Sequence, residues 1–135
     1  MSGFARNSKV AAYQSVLVHG AAADAHGLVL MLMNAAVERM SAAQGCIERG
    51  ETVRKAKLLH NCVNILAELR GSLDHENGGP VAQNLSDLYD YMVRRLLLAN
   101  AENKVSCIAE VLNLLGEIRS AWVAIGPQVR KRAAA

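Results

Sequence analysis

The residues of this sequence that are best suited to chemistry are four histidines and three cysteines. A helical protein can hold two metal ions when two helices each carry a Glu-x-x-His pair and two others each supply a glutamate. The residues three positions before the histidines are Val16, Ala23, Lys57 and Ser72. Because none of them is a glutamate, the sequence predicts no metal site of this kind.

Other catalytic patterns are also missing from the sequence. There is no Gly-x-Ser-x-Gly, no His-Glu-x-x-His, no phosphate-binding loop and no dinucleotide-binding pattern. His75 lies between Asp74 and Glu76 and could be drawn as an acid/base cluster, but Asn77-Gly78-Gly79 follows directly. These residues favour a polar turn, whose side chains seldom converge on one point. We therefore expect a protein that is not an enzyme and uses no cofactor.

The cysteines and the N-terminus bear on the compartment. Cys46, Cys62 and Cys107 are an odd number, are widely spaced and fall within helical patterns, which is typical of reduced packing residues. The N-terminal stretch contains Arg6 and Lys9 but no continuous apolar segment of the kind found in signal peptides. The sequence therefore predicts a cytoplasmic protein.

Membrane insertion and nucleic-acid binding are both disfavoured. The longest apolar run, residues 28–33, is far shorter than the roughly 20 residues that a spanning helix needs. The net charge is only +3, and the basic cluster Arg130-Lys131-Arg132 has no stacking or base-reading residues beside it. We expect a solvated basic tail over residues 127–135, no nucleic-acid partner and no stable membrane insertion.

The composition favours helices as the elements that position these residues. Apolar residues make up 52% of the 135 residues and aromatic residues only 4%, so the apolar content is mostly aliphatic. The periodicity predicts an all-α fold, an antiparallel up-and-down four-helix bundle over residues 24–126. Residues 1–23 are expected to form an N-terminal arm or a short helix.

Capping and breaking residues set the expected helix limits. The first helix is predicted to start after an N-cap at Asp24 and to stop at Gly50. Residues 74–79 are predicted to be a loop, Pro80 to open the third helix, and Gly126 to end the fourth. The inner faces are expected to include Val53, Leu59, Leu66 and Leu69 on the second helix, Val81, Leu85, Leu88, Met92 and Leu96 on the third, and Ile108, Leu115 and Ile125 on the fourth.

Two helices have more apolar surface than one packed face requires. Stepping around the third helix places Tyr91 and Leu98 opposite its inner arc, together with Asn84 and Arg94. On the first helix, Leu30, Met31 and Val37 cannot all join the residues that face the core. Crowding within a small bundle would explain this surplus. A groove for a partner helix, or a surface for self-association, would explain it equally well.

A long segment of the sequence resembles a known family. Residues 76–100, from Glu76-Asn77-Gly78-Gly79-Pro80 to Leu97-Leu98-Ala99-Asn100, closely resemble the signature of the flagellar export chaperone FliS family. The resemblance extends over nearly the whole chain, because it also includes Tyr13-Gln14, residues 23–28, residues 69–74 and Ala121-Trp122. The chain departs from the family pattern at Asp24-Ala25, where many members have Ser-Pro, and in an arm that looks shorter than usual.

The resemblance implies a function for the apolar surplus. Members of this family are antiparallel helical bundles that bind the C-terminal region of flagellin in the cytoplasm and prevent its premature polymerisation. They help to deliver it to the flagellar type III export apparatus, where an export gate component is a further partner. The alternatives are a self-associating scaffold, a homodimer of the unliganded chain, and a chaperone for another secreted subunit. The predicted partner-binding residues are Tyr13, Leu30, Met31, Val37, Asn84, Tyr91, Arg94 and Leu98.

Overall fold

Four α-helices make up the part of the chain that the structure describes. This computed structural model describes residues 22–134, and it describes side chains over residues 25–126. The helices are α1 (Ala22–Arg49), α2 (Thr52–Gly71), α3 (His75–Glu102) and α4 (Val105–Ala134). No strand occurs within residues 22–134, so the predicted all-α bundle is confirmed. The predicted arm lies almost wholly outside the described residues.

The turn between α1 and α2 forms where the sequence predicts a helix stop. Gly50 has φ of 71°, in the left-handed region that glycine tolerates best. The Gly50 N–H bonds to the Ile47 carbonyl at 3.2 Å, and the Glu51 N–H bonds to the Cys46 carbonyl at 2.9 Å. These two bonds satisfy the last carbonyl groups of α1 in a Schellman arrangement.

The corner between α2 and α3 differs from the predicted loop. Asp74 caps a helical turn that begins at His75, because its carboxylate accepts the Asn77 backbone N–H. Gly79 then interrupts the helical backbone with φ of 48° and ψ of −126°. Pro80 follows this interruption and starts the long part of α3, as expected of a proline in a first turn. The prediction of a loop over residues 74–79 was therefore wrong for the capped turn.

Two further boundaries were also wrong. The first helix begins at Ala22, so Asp24 lies in its first turn and is not the N-cap. The fourth helix continues through Pro127 to Ala134 and does not end at Gly126. A proline inside a helix costs about 3 kcal/mol, but it does not prevent helix on its C-terminal side. The residues that follow, rich in arginine, lysine and alanine, favour the helical state.

The described chain divides into two compact units. The central unit is Leu32–Glu117, and the terminal unit combines the described residues 22–31 and 118–134. In the central unit, α2 and α3 pack antiparallel. Arg70 near the end of α2 bonds to Ser86 near the start of α3, and Lys55 near the start of α2 bonds to Asn100 near the end of α3. None of the described helices is long and apolar enough to cross a membrane.

The buried residues correct part of the predicted core. The fully buried side chains of the described chain include Met33, Met40, Leu59, Leu66, Leu69, Met92, Leu96, Ile108 and Leu115. Val53 is 71% exposed and Val81 is 66% exposed, and Ile125 is also exposed, so none of these three belongs to the core. Leu85 and Leu88 are half-buried. The buried stripe of α2 keeps the predicted Leu59, Leu66 and Leu69, but it is completed by Lys55, Cys62 and Ile65 and not by Val53.

Candidate partner-binding surface

One face of α3 carries four of the predicted partner-binding residues. Asn84, Tyr91 and Leu98 are spaced seven residues apart and therefore lie on one stripe of the helix, which Arg94 flanks. The buried residues Tyr89, Met92 and Leu96 occupy the opposite side of α3. Asn84 and Arg94 are exposed, whereas Tyr91 and Leu98 are half-buried. We call Asn84, Leu88, Tyr91, Arg95 and Leu98 the α3 outer face. It includes the half-buried Leu88, which the sequence analysis placed on the inner face.

The centre of the α3 outer face is tied to α4 by Glu110. The Tyr91 hydroxyl donates to Glu110 Oε2 at 2.8 Å, and Arg95 Nε donates to Glu110 Oε1 at 2.7 Å. Each carboxylate oxygen therefore has one donor, and the ion pair with Arg95 is well aligned. We call this group the Tyr91–Glu110–Arg95 tether. It fixes the Tyr91 ring at the seam between α3 and α4.

The hydrogen bonds of the tether shift the pKa values of Glu110 and Tyr91. The hydrogen bond from Tyr91, followed by that from Arg95, holds the pKa of Glu110 below its ordinary value. The hydrogen bond to Glu110 is also the main reason that the pKa of Tyr91 is raised. The tyrosine therefore stays protonated and the glutamate stays ionised at neutral pH. Both conditions keep the hydrogen bond between them in place.

Two arginine side chains lie over the Tyr91 ring. The guanidinium carbons of Arg94 and Arg95 each lie 6.0 Å from the ring centroid, at the limit of a cation–π contact. Arg94 Nε also pairs with Asp90 at 3.2 Å, one helical turn away, and Asp90 pairs with Arg70 of α2. The apolar side chains of the outer face, Leu88, Tyr91 and Leu98, thus lie beside paired charges.

The other predicted residues lie elsewhere. Val37 is half-buried on the part of α1 that belongs to the central unit. Leu30 is half-buried and Met31 is 42% exposed, and both belong to the terminal unit. Tyr13 lies outside the described residues. The structure therefore brings Asn84, Tyr91, Arg94 and Leu98 together on α3, and the partner-binding roles of all eight residues stay predictions.

Sequence reasoning missed Arg95 and Glu110. Arg95 shares the seven-residue spacing of Leu88, so its place on the outer face could have been read from the sequence. Glu110 could not, because it comes from the next helix and its facing depends on how α4 rotates about its own axis. The pairing between the two helices thus needed the structure.

The terminal unit contains a second cluster that the sequence did not suggest. The His26 and Trp122 rings stack with centroids 4.5 Å apart and an angle of 9° between their planes. Trp122 Nε1 donates to the His26 carbonyl at 2.9 Å, and His26 Nε2 donates to the Trp122 carbonyl at 2.6 Å. His26 is only 4% exposed, and its Nδ1 has no hydrogen-bond partner. These reciprocal bonds join the start of α1 to the second half of α4.

The cysteines serve packing, as predicted. Cys46, Cys62 and Cys107 are all buried free thiols. Burial raises the pKa of Cys62 to about 12, so this thiol stays protonated and unreactive at neutral pH. Among the described residues, no group of three or more histidine, cysteine or carboxylate side chains is placed to hold a metal ion.

The fold and the surface together define a class of protein. The described part of the chain is entirely helical, and its clearest unassigned feature is a helix face bearing half-buried Tyr91 and Leu98 beside exposed polar residues. Helical proteins present such faces to helices of other polypeptides. The class is therefore that of small all-helical proteins with a helix face that a helix of another polypeptide could cover.

Comparison with known proteins is consistent with this class and gives the family. A family model described as "Flagellar protein FliS" matches residues 6–129. The flagellar secretion chaperone FliS of Salmonella typhimurium is 42% identical over 124 residues, covering 90% of this chain and 92% of that protein. The flagellar secretion chaperone FliSB of Pseudomonas aeruginosa is 40% identical over 112 residues, covering 82% and 89% respectively. The corresponding FliS of Vibrio cholerae is 36% identical over 126 residues, covering 92% and 93%.

The chain therefore belongs to the FliS family of flagellar secretion chaperones. This confirms the family suggested by residues 76–100. The family consists of chaperones and not of enzymes, which also confirms the expectation drawn from the missing catalytic motifs.

Proposed function

We propose that this chain binds the C-terminal region of flagellin in the bacterial cytoplasm, prevents its premature polymerisation and helps to deliver it to the flagellar type III export apparatus. Membership of the FliS family supports the chaperone role. The α3 outer face supports binding of a helical segment, because Leu88, Tyr91 and Leu98 recur at spacings that match one side of a partner helix.

The observation that carries the proposal is the position of Tyr91. Its hydroxyl is held by Glu110, so the ring cannot turn freely and offers a fixed apolar anchor. A rigid aromatic side chain loses little conformational entropy on binding, and such residues often dominate interface energetics. A flagellin segment that folds as it binds would cover its own apolar stripe on this face and could not then pair with another flagellin.

The first test is a pull-down of the tagged chain from the cytoplasm of its native cell. We expect flagellin to be recovered and to be lost when its C-terminal region is deleted. Deletion of the N-terminal region of flagellin should leave the recovery unchanged and provides the matched control. Recovery of full-length flagellin and of the C-terminal deletion in equal amounts would contradict the proposal.

Self-association and a different secreted client are distinguishable outcomes. Light scattering during size-exclusion chromatography would show whether the unliganded chain is a homodimer. If flagellin dissociates that dimer, the two partners compete for one surface. Capture of a different secreted subunit, with no flagellin, would show that the chain has another client.

A further inference from the structure

The α2–α3 corner contains the only Asn–Gly dipeptide of the sequence, Asn77–Gly78. In this dipeptide the backbone nitrogen of the second residue can attack the side-chain carbonyl carbon of the asparagine. A bond forms between the Gly78 nitrogen and Asn77 Cγ, the bond from Cγ to Nδ2 breaks, and ammonia leaves. Water then opens the resulting succinimide to aspartate or isoaspartate. Glycine makes this reaction easy because it has no side chain to hinder the attack.

The structure restrains both groups that would react. The Asn77 side-chain amide donates from Nδ2 to Asp74 Oδ2 at 2.7 Å, and the Asn77 backbone N–H donates to Asp74 Oδ1 at 3.1 Å. The Gly78 nitrogen, which is the nucleophile, donates its hydrogen to the Asp74 carbonyl at 2.8 Å. Asp74 therefore holds the electrophilic side chain and the attacking nitrogen in separate hydrogen bonds.

Packing explains why the reactive dipeptide is present at all. A Cβ atom at position 78 would approach the Ala82 Cβ to 2.9 Å, which is closer than real side chains come. Glycine is therefore required at this position by the close approach of the next turn of α3. Because Gly78 cannot easily be replaced, protection from the reaction depends on Asp74.

We propose that Asn77–Gly78 is a self-modification site that Asp74 keeps closed in the folded chain. Loss of the two Asp74 side-chain bonds by substitution, or of all three bonds by opening of the first turn of α3, lets Asn77 deamidate. Isoaspartate adds a methylene group to the main chain, and either product adds a negative charge beside Asp74. Both changes disrupt the capped turn that precedes Gly79 and Pro80.

The carboxylate form of Asp74 is maintained under the conditions in which deamidation is fastest. Hydrogen bonds from Asn77, first from its backbone and then from its side chain, keep the pKa of Asp74 below the ordinary value. Asp74 therefore stays ionised at the neutral and mildly alkaline pH at which the Gly78 nitrogen is most nucleophilic. The hydrogen bonds from Asn77 to the Asp74 carboxylate therefore persist at the pH at which deamidation is fastest.

The test is the rate of deamidation of the full chain, followed by peptide mass spectrometry with separation of aspartate from isoaspartate. Asp74→Ala removes both side-chain bonds and is expected to deamidate Asn77 about tenfold faster than the wild type. Asp74→Ser keeps one oxygen for the Asn77 backbone N–H but cannot also hold the amide. Its rate should fall between the other two.

Three controls make the result decisive. Glu76→Ala removes an exposed carboxylate from the same turn and should leave the rate unchanged. Asn77→Ala should abolish the product and so assign it to this site. The wild type unfolded in urea gives the unrestrained rate. Folded Asp74→Ala should stay below that rate because the backbone carbonyl of residue 74 still accepts the Gly78 N–H, and circular dichroism confirms that this variant is folded. Equal rates for the folded wild type and the urea-unfolded wild type, or for the wild type and Asp74→Ala, would overturn the proposal.

Discussion

Lys55 shows how a single polar residue can stabilise the turn of a neighbouring helix. It is only 4% exposed, and its Nζ donates to the Asn100 carbonyl at 2.9 Å and to Asn103 Oδ1 at 2.6 Å. Asn100 lies in the last turn of α3, where carbonyl groups lack helical partners and attract a positive charge. Asn103 has φ of 53°, so Lys55 supports a left-handed residue as well as a helix end.

Replacement of Lys55 should therefore destabilise the fold. Lys55→Met keeps the length of the side chain but removes both hydrogen bonds, and we expect the free energy of unfolding to fall by about 1–2 kcal/mol. Lys57→Met, an exposed lysine of the same helix, is the matched control and should change stability little. Urea denaturation measures both variants. Equal effects of the two substitutions would show that Lys55 has no special role.

Gly126 is a second position where one residue decides stability. A Cβ atom there would lie 2.9 Å from His26 Cε1, and the His26 ring cannot move without losing its stacking and hydrogen bond with Trp122. Gly126→Ala should lower the free energy of unfolding by about 1–3 kcal/mol. Gly116→Ala, on the same helix with nothing within 4 Å of the new atom, should raise it by about 0.5–1 kcal/mol.

A double-mutant cycle would assign the Gly126 effect to its cause. In a His26→Ala background the collision is absent, so Gly126→Ala should cost less than in the wild type. Fluorescence of Trp122, the only tryptophan of the chain, reports the same cluster directly. If Gly126→Ala stabilises the protein as Gly116→Ala does, the close packing around His26 would be contradicted.

At the scale of elements, the Tyr91–Glu110–Arg95 tether couples α3 to α4. The pKa of Glu110 is lower in the folded chain than its ordinary value. The ionised carboxylate therefore stabilises the fold above about pH 4.5, and this contribution is lost as the pH falls through the lower pKa of the folded state. The loss should appear as a pH-dependent melting temperature.

The Glu110→Gln variant isolates this contribution. The difference in melting temperature between the wild type and Glu110→Gln should shrink as the pH is lowered from neutral to below the ordinary range of a glutamate. Tyr91→Phe removes the first cause of the pKa shift and should make the dependence weaker. A difference that stays constant over this pH range would show that the tether does not stabilise the ionised form.

Some elements were predictable from local chemistry and others were not. Gly50 and Pro80 act through their own backbone preferences, so the end of α1 and the start of the long part of α3 could be read from the sequence. The buried stripe of α2 could not be read with the same success. Val53 fits an apolar spacing but is exposed, and Lys55 is buried because acceptors from α3 satisfy it. Such partners come from tertiary structure.

At the scale of the whole molecule, the sequence was most informative about the family and least informative about the binding surface. The resemblance of residues 76–100 to the family signature predicted the family correctly. The helical periodicity of residues 76–100 predicts only in part which of their side chains are buried and which are exposed. Met92 and Leu96 are buried as expected. The hydrogen bond from Tyr91 to Glu110 was not expected, because it depends on the position of α4.

Above all, we propose that the α3 outer face binds flagellin. Calorimetric titration of a flagellin C-terminal segment into the wild type and into the Tyr91→Ala, Leu98→Ala double variant tests it most directly. Val53→Ala, at an exposed apolar position on α2, is the matched control, and Glu110→Gln controls for loss of the tether alone.

We expect the double variant to stay folded, as judged by circular dichroism and melting, and to bind the segment about 30-fold more weakly than the wild type. Val53→Ala should bind as the wild type does. If the folded double variant binds flagellin with unchanged affinity, the α3 outer face is not the binding surface. If the double variant unfolds, Tyr91 and Leu98 belong to the core, and the claim is equally contradicted.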